Sequence, residues 1–241
     1  PSEKQVRSMQ KPLEKNSYSC EDLVQIVEML RSPEGCPWDR AQDHHTIRNN
    51  FLEETYEAVE AIDRSDPVLL QEELGDVLLQ IVLHAQMEAE TGRFDFNDVC
   101  GGICRKMIDR HPHVFGSESA SDLGEALETW EQQKRREKGL YTLEDRLRQV
   151  SAALPALMRA QKLCSRAEKG GCTADRPDDE LRQALEQALT AGEEQSSASW
   201  GKLLFLISAR MNREGLSAEE ALSHESDRMI ESFLGRNHSE A

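Results

Sequence analysis

The sequence predicts an all-α protein made of two related helical bundles, and three observations carry that expectation. Strand signals are nearly absent, with few aromatics, few β-branched runs and a preponderance of Leu, Ala, Glu, Arg and Gln. The stretch Phe51–Gln86 has the pattern of two helices folded back on each other. The second half repeats the apolar framework of the first at an offset of 126 residues, Glu54 falling on Glu180 and Gly75 on Gly201.

In chain order, residues 1 to about 17 are polar and aperiodic and are expected to be a flexible lead. Ser19-x-x-Asp22 is a capping-box pattern opening a helix with Leu23, Ile26, Val27 and Leu30 on one face, stopped at Pro33. The loop that follows holds Trp38 beside Pro37, either as a plug over the bundle or as a stacking platform. Asp39 and Gln42 are candidate polar contacts there.

In the hairpin, Asp66 is a good N-cap and Pro67 suits the first helical position, where its missing N–H costs nothing. Each arm carries an acidic i, i+3 pair, Glu54 with Glu57 and Glu73 with Asp76. Residues at that spacing share a helix face. Antiparallel pairing about the turn sets Glu57 opposite Glu73 and Glu54 opposite Asp76. These carboxylates interrupt apolar stripes, where an unpaired charge is costly. Four of them together make either a solvated acidic face or a cation site; their place in apolar stripes favours the cation, and an all-oxygen set suits Mg2+, with Mn2+ as a substitute, rather than zinc. Gly75, between the second pair, is expected to allow close helix approach.

Gly92 is a natural helix stop, and Asn97 or Asp98 is expected to begin the next helix. On it Lys106 and Arg110 stand at i, i+4, as solvating charges or as phosphate ligands. His111 and His113 flank Pro112 where that helix must end, and His84 reads as a core or interface histidine. A charged helix is expected from about Asp122 to Lys138, with a boundary at residues 139–141. The repeat then puts Gln183, Ser199 and Lys202 where the first half has Glu57, Glu73 and Asp76, so only Glu180 of the four acidic positions survives.

The formal charge of −16 over 241 residues argues against nucleic acid or an anionic membrane as a main partner. No apolar run approaches the ~20 residues needed to span a bilayer. The six cysteines lack CxxC spacing and read as the free thiols of a cytoplasmic protein.

Glu53-Glu54-x-x-Glu57 followed by Glu73-x-x-Asp76 resembles the EExxE…ExxD signature of the MazG-type nucleoside triphosphate pyrophosphohydrolases. Gly35-Cys36-Pro37-Trp38-Asp39, the run Gly92 to Asp98, and Arg110-His111-Pro112-His113-Val114-Phe115 resemble that family too. The resemblance implies a tandem architecture: a catalytic domain at about 18–140 and a degenerate copy at about 150–236. It also implies a homodimer and hydrolysis of (deoxy)nucleoside triphosphates to monophosphate and pyrophosphate. On that footing Glu54, Glu57, Glu73 and Asp76 hold Mg2+, which orients the triphosphate and acidifies a water aimed at the α-phosphorus. Glu53 accepts the water's proton, and Lys106 and Arg110 steady the phosphates. Trp38, Asp39 and Gln42 border the substrate.

Two other classes compete. A non-catalytic dimeric scaffold or regulator that binds nucleotide or a protein would show a damaged first site, and by sequence that site is intact. A carboxylate-bridged di-iron protein would need Glu-x-x-His pairs, which neither acidic pair supplies. No GxxxxGK[ST] cradle is present.

Overall fold

The computed structural model describes residues 15–117, 119–172 and 177–237. The flexible lead expected for residues 1 to about 17 lies almost wholly outside them. Twelve helices and no strand occur among the described residues. They fall into two compact units that divide between Ala126 and Leu127.

The first unit begins with α1 (Cys20–Arg31), capped by the expected box of Ser19 and Asp22. Helix α2 (Pro37–Ala41) is a single short turn. Helices α3 (Arg48–Asp63) and α4 (Pro67–Glu90) form the hairpin. At its turn the Asp66 carboxylate accepts from the N–H groups of Val68 (3.0 Å) and Leu69 (3.1 Å). Ser65 takes the left-handed conformation at φ +53°, which reverses the chain in few residues. Val27, Ile47, Val82, Leu83 and Met87 form the core, so α1 and the approach to α3 both pack on α4. Gly92, at φ +71°, follows the end of α4.

Helix α5 (Phe96–Arg110) starts earlier than Asn97 or Asp98, because Asp95 supplies the cap and Asp98 the reciprocal acid at the third position. The short α6 (Pro112–Phe115) follows. His111 ends α5 by donating from Nδ1 to the Met107 carbonyl at 2.6 Å, a structural role.

The expectation for Gly75 is overturned. A Cβ built there meets nothing within 4 Å, and the residue is exposed. Gly75→Ala should therefore raise stability by about 1 kcal/mol, the ordinary helix-propensity gain, in urea denaturation of the full chain. A loss of stability would mean that something covers this surface in solution.

Helix α7 (Leu123–Glu137) closes at Gly139, which takes φ +63°. The sequence patterns left α8 (Leu143–Arg148) unnoticed, although Thr142 and Asp145 make a capping box for it. Helices α9 (Ala156–Glu168), α10 (Pro177–Thr190), α11 (Glu193–Arg213) and α12 (Ala218–Asn237) complete the second unit. Its core sets Ala184 and Ala188 of α10 against Leu203 of α11. The second arms of the two hairpins start at the repeat's offset, α4 at 67 and α11 at 193, a difference of 126, while the first arms start 129 apart, α3 at 48 and α10 at 177.

Candidate metal centre

The α3–α4 hairpin brings Glu54, Glu57 and Glu73 together, each offering a carboxylate oxygen within 4.8 Å of the others. The three differ in setting: Glu73 is buried, Glu54 half-buried and Glu57 exposed. No other group of three potential metal ligands occurs among the described residues. Burial raises the pKa of Glu73, and the charges of Glu57 and then Asp76 raise it further. Burial likewise raises Glu54, followed by the charges of Asp76, Glu57, Glu73 and Glu53. The strongest charge partners are thus Glu57 for Glu73 and Asp76 for Glu54. Asp76 is half-buried and acts on both, although it stands outside the compact trio.

None of the ion pairs among the described residues reaches these four carboxylates. Clustered, partly buried acids that repel one another fit a hard divalent cation, and the donor set is all oxygen.

Glu53 is exposed on α3 beside Glu54. Lys106 is exposed on α5, whereas Arg110, one turn later, is buried. Trp38 is exposed on α2, with Asp39 half-buried. Gln42 donates from its amide to the Trp38 carbonyl at 3.0 Å, which closes that short helix.

The profile of the MazG nucleotide pyrophosphohydrolase domain matches residues 42–115, which contain the hairpin and all four carboxylates. The nucleoside triphosphate pyrophosphohydrolase of Escherichia coli (strain K12) is 40% identical over 221 residues, covering 88% of this chain and 84% of that protein. The chain belongs to the MazG pyrophosphohydrolase family. A Thermotoga maritima relative, named nucleoside triphosphate pyrophosphohydrolase/pyrophosphatase MazG, is 36% identical over 217 residues, 88% of this chain and 83% of its own. The Mycobacterium tuberculosis nucleoside triphosphate pyrophosphohydrolase is 38% identical over 162 residues, 66% of this chain and 48% of its own.

Around this MazG hairpin the structure adds residues that sequence patterns passed over. Arg31 has a side chain only 6% exposed and ties three segments together. Its Nε and Nη2 donate to the two oxygens of Glu90 at 2.7 and 2.9 Å, and Nη1 donates to the carbonyls of Asp39 and Gln42. A second chain of contacts runs along α4. His44 lies 2.7 Å from Glu88 through Nε2 and 2.7 Å from His84 through Nδ1. Arg93 donates to both oxygens of Glu88, sharing Oε1 with His44, and Phe51 packs on His84. The Arg93 hydrogen bond holds Glu88 below the usual carboxylate range, against its burial, while burial lowers His84. These contacts hold the segment before α3 to α4 and so fix the hairpin's arms. Sequence placed His84 as a core or interface histidine, but no local periodicity relates it to His44, forty positions away.

Proposed function

We propose that the chain hydrolyses nucleoside or deoxynucleoside triphosphates to the monophosphate and pyrophosphate, using Mg2+ held by Glu54, Glu57, Glu73 and Asp76. The observation that carries this is the trio of mutually repelling carboxylates within 4.8 Å on one hairpin. It occurs in a chain whose relatives are named nucleoside triphosphate pyrophosphohydrolases.

A bound Mg2+ or Mn2+ supplies charge neutralisation for the phosphates and a water acidified enough to act as nucleophile. Glu53, exposed next to Glu54, would take the proton of the attacking water as its oxygen bonds to the α-phosphorus. The bond from that phosphorus to the bridging oxygen breaks, and pyrophosphate leaves. Lys106 and Arg110 on α5 offer positive charge to the phosphates, Lys106 from the solvent side and Arg110 from a buried position. Trp38, Asp39 and Gln42 border the nucleoside end.

Catalysis belongs to the first unit in this proposal. The second keeps Glu180 but has the neutral Gln183 and Ser199, and the exposed ammonium of Lys202 opposes a divalent ion. A homodimer fits the hairpin's outer side, where Leu52, Tyr56, Val59 and Ile62 of α3 stand exposed at helical spacing. No described helix is long and apolar enough to cross a membrane, in keeping with the cytoplasmic placement proposed here.

The deciding experiment incubates the full chain with each of the eight canonical triphosphates, with Mg2+ and with EDTA, resolving pyrophosphate from orthophosphate. Metal-dependent release of pyrophosphate is expected; orthophosphate alone would replace this reading with a different phosphatase. Lys106→Ala should lower kcat/KM by roughly 1.5–3 kcal/mol, the worth of a charge-assisted bond. An unchanged value would return Lys106 to the solvated surface.

A further inference from the structure

We propose that the second unit holds an oligophosphate-binding site, separate from the acidic hairpin, in a cavity where α7, α8 and α9 meet. The cavity measures about 130 Å3. Six cationic side chains line it: Lys134 and Arg135 from α7, Arg146 from α8, and Lys162, Arg166 and Lys169 from α9 and its cap. Glu131 is the one carboxylate among its lining residues. This happens in a chain with 45 acidic and 29 basic residues, where an even mixture would put acids in the majority.

Structural roles account for part of the cluster. Arg166 donates to the backbone carbonyl of Arg146, closing the last turn of α8. Lys134 lies 3.9 Å from Glu131 and 4.4 Å from the centre of the Trp130 ring. Helix C-termini also attract cations, each counting for roughly half an elementary charge. Three such ends and Glu131 together offset fewer than half of the six positive charges. Arg135, Lys162 and Lys169 take part in no ion pair among the described residues.

The excess calls for a compact anion with several charges. Two linked phosphate groups, at roughly −1.5 to −2 each, supply it. Arginine forks and lysine point charges are the side chains that bind such oxygens. The cavity is well below the ~300 Å3 at which whole small-molecule pockets begin, and no aromatic ring lines it to stack a base. A diphosphate group therefore enters alone, as free pyrophosphate or as the phosphate chain of a nucleotide whose base stays outside. The net charge of −16 disfavours a nucleic-acid backbone as the source. This site does not depend on the hydrolytic reading of the hairpin.

Isothermal titration of the full chain with inorganic pyrophosphate in EDTA tests it, because chelation disables metal-dependent binding at the acidic hairpin. Saturable binding is expected, weakened by added salt and at least about tenfold weaker in Arg135→Gln. Lys162→Gln/Lys169→Gln changes two exposed residues and keeps the test decisive if Arg135→Gln unfolds. Lys106→Ala should leave the affinity unchanged. Equal affinity for an α,β-methylene nucleoside triphosphate assigns the site to a nucleotide's phosphate chain; tighter pyrophosphate binding assigns the free anion. No heat up to millimolar pyrophosphate overturns the proposal, as does binding that Lys106→Ala abolishes and the cavity variants leave intact.

Discussion

Glu73→Gln should abolish turnover while leaving the helical content intact. Glu73 is the buried member of the carboxylate trio, so it has least freedom to be replaced by a neighbour swinging in. Metal-assisted charge stabilisation is worth several kcal/mol, which sets the expected loss on the order of a thousandfold. Stability should move the other way. Burial and the charges of Glu57 and Asp76 oppose ionisation of Glu73, so the neutral isostere relieves repulsion in the metal-free protein. Thermal unfolding in EDTA should show Glu73→Gln at least as stable as the parent. Mg2+ should then stabilise the parent, by about 2.7 kcal/mol at a hundredfold excess over Kd, and leave the variant unmoved. A variant that retains full turnover would remove Glu73 from the site. One that loses activity and unfolds in EDTA would make its role structural.

The second large effect lies away from the chemistry. Arg31→Ala should destabilise the first unit by about 2–3 kcal/mol. The carbonyls of Asp39 and Gln42 lose a guanidinium donor, and Glu90 loses a two-point partner. Glu90 is 37% exposed, so its share is small and most of the cost falls on the carbonyls. The unfolding midpoint should drop by on the order of 10 °C. The pH dependence has a definite sign. The hydrogen bond from Arg31 holds Glu90 below its ordinary value, so the pair's contribution is present above the normal carboxylate range and is lost as pH falls through the folded value. The gap between parent and variant should therefore narrow below about pH 4. A deficit under about 0.5 kcal/mol at neutral pH would show that α2 is held by other contacts.

Much of this protein was determined locally and could be read without coordinates. Asp66 and Pro67 start α4, and the i, i+3 spacing of Glu54 with Glu57 and of Glu73 with Asp76 puts each pair on one face. With the turn placed, the antiparallel register follows, and the charge partners in the folded chain pair in that way. The capping boxes at Ser19 and Thr142 are equally local, though the second was passed over beside the more conspicuous Gly139. Tertiary structure decided the rest. It buries Glu73 but exposes Glu57 on the facing arm of the hairpin, and it buries Arg110 while leaving Lys106 in water, although those two share a helix. It joins Arg31 to Glu90 and His44 to His84, and it gathers six cations from three helices around one cavity. The physical reason is that spacing along one helix fixes which side chains share a face. What that face meets depends on residues dozens of positions away, and no periodicity in the chain records them.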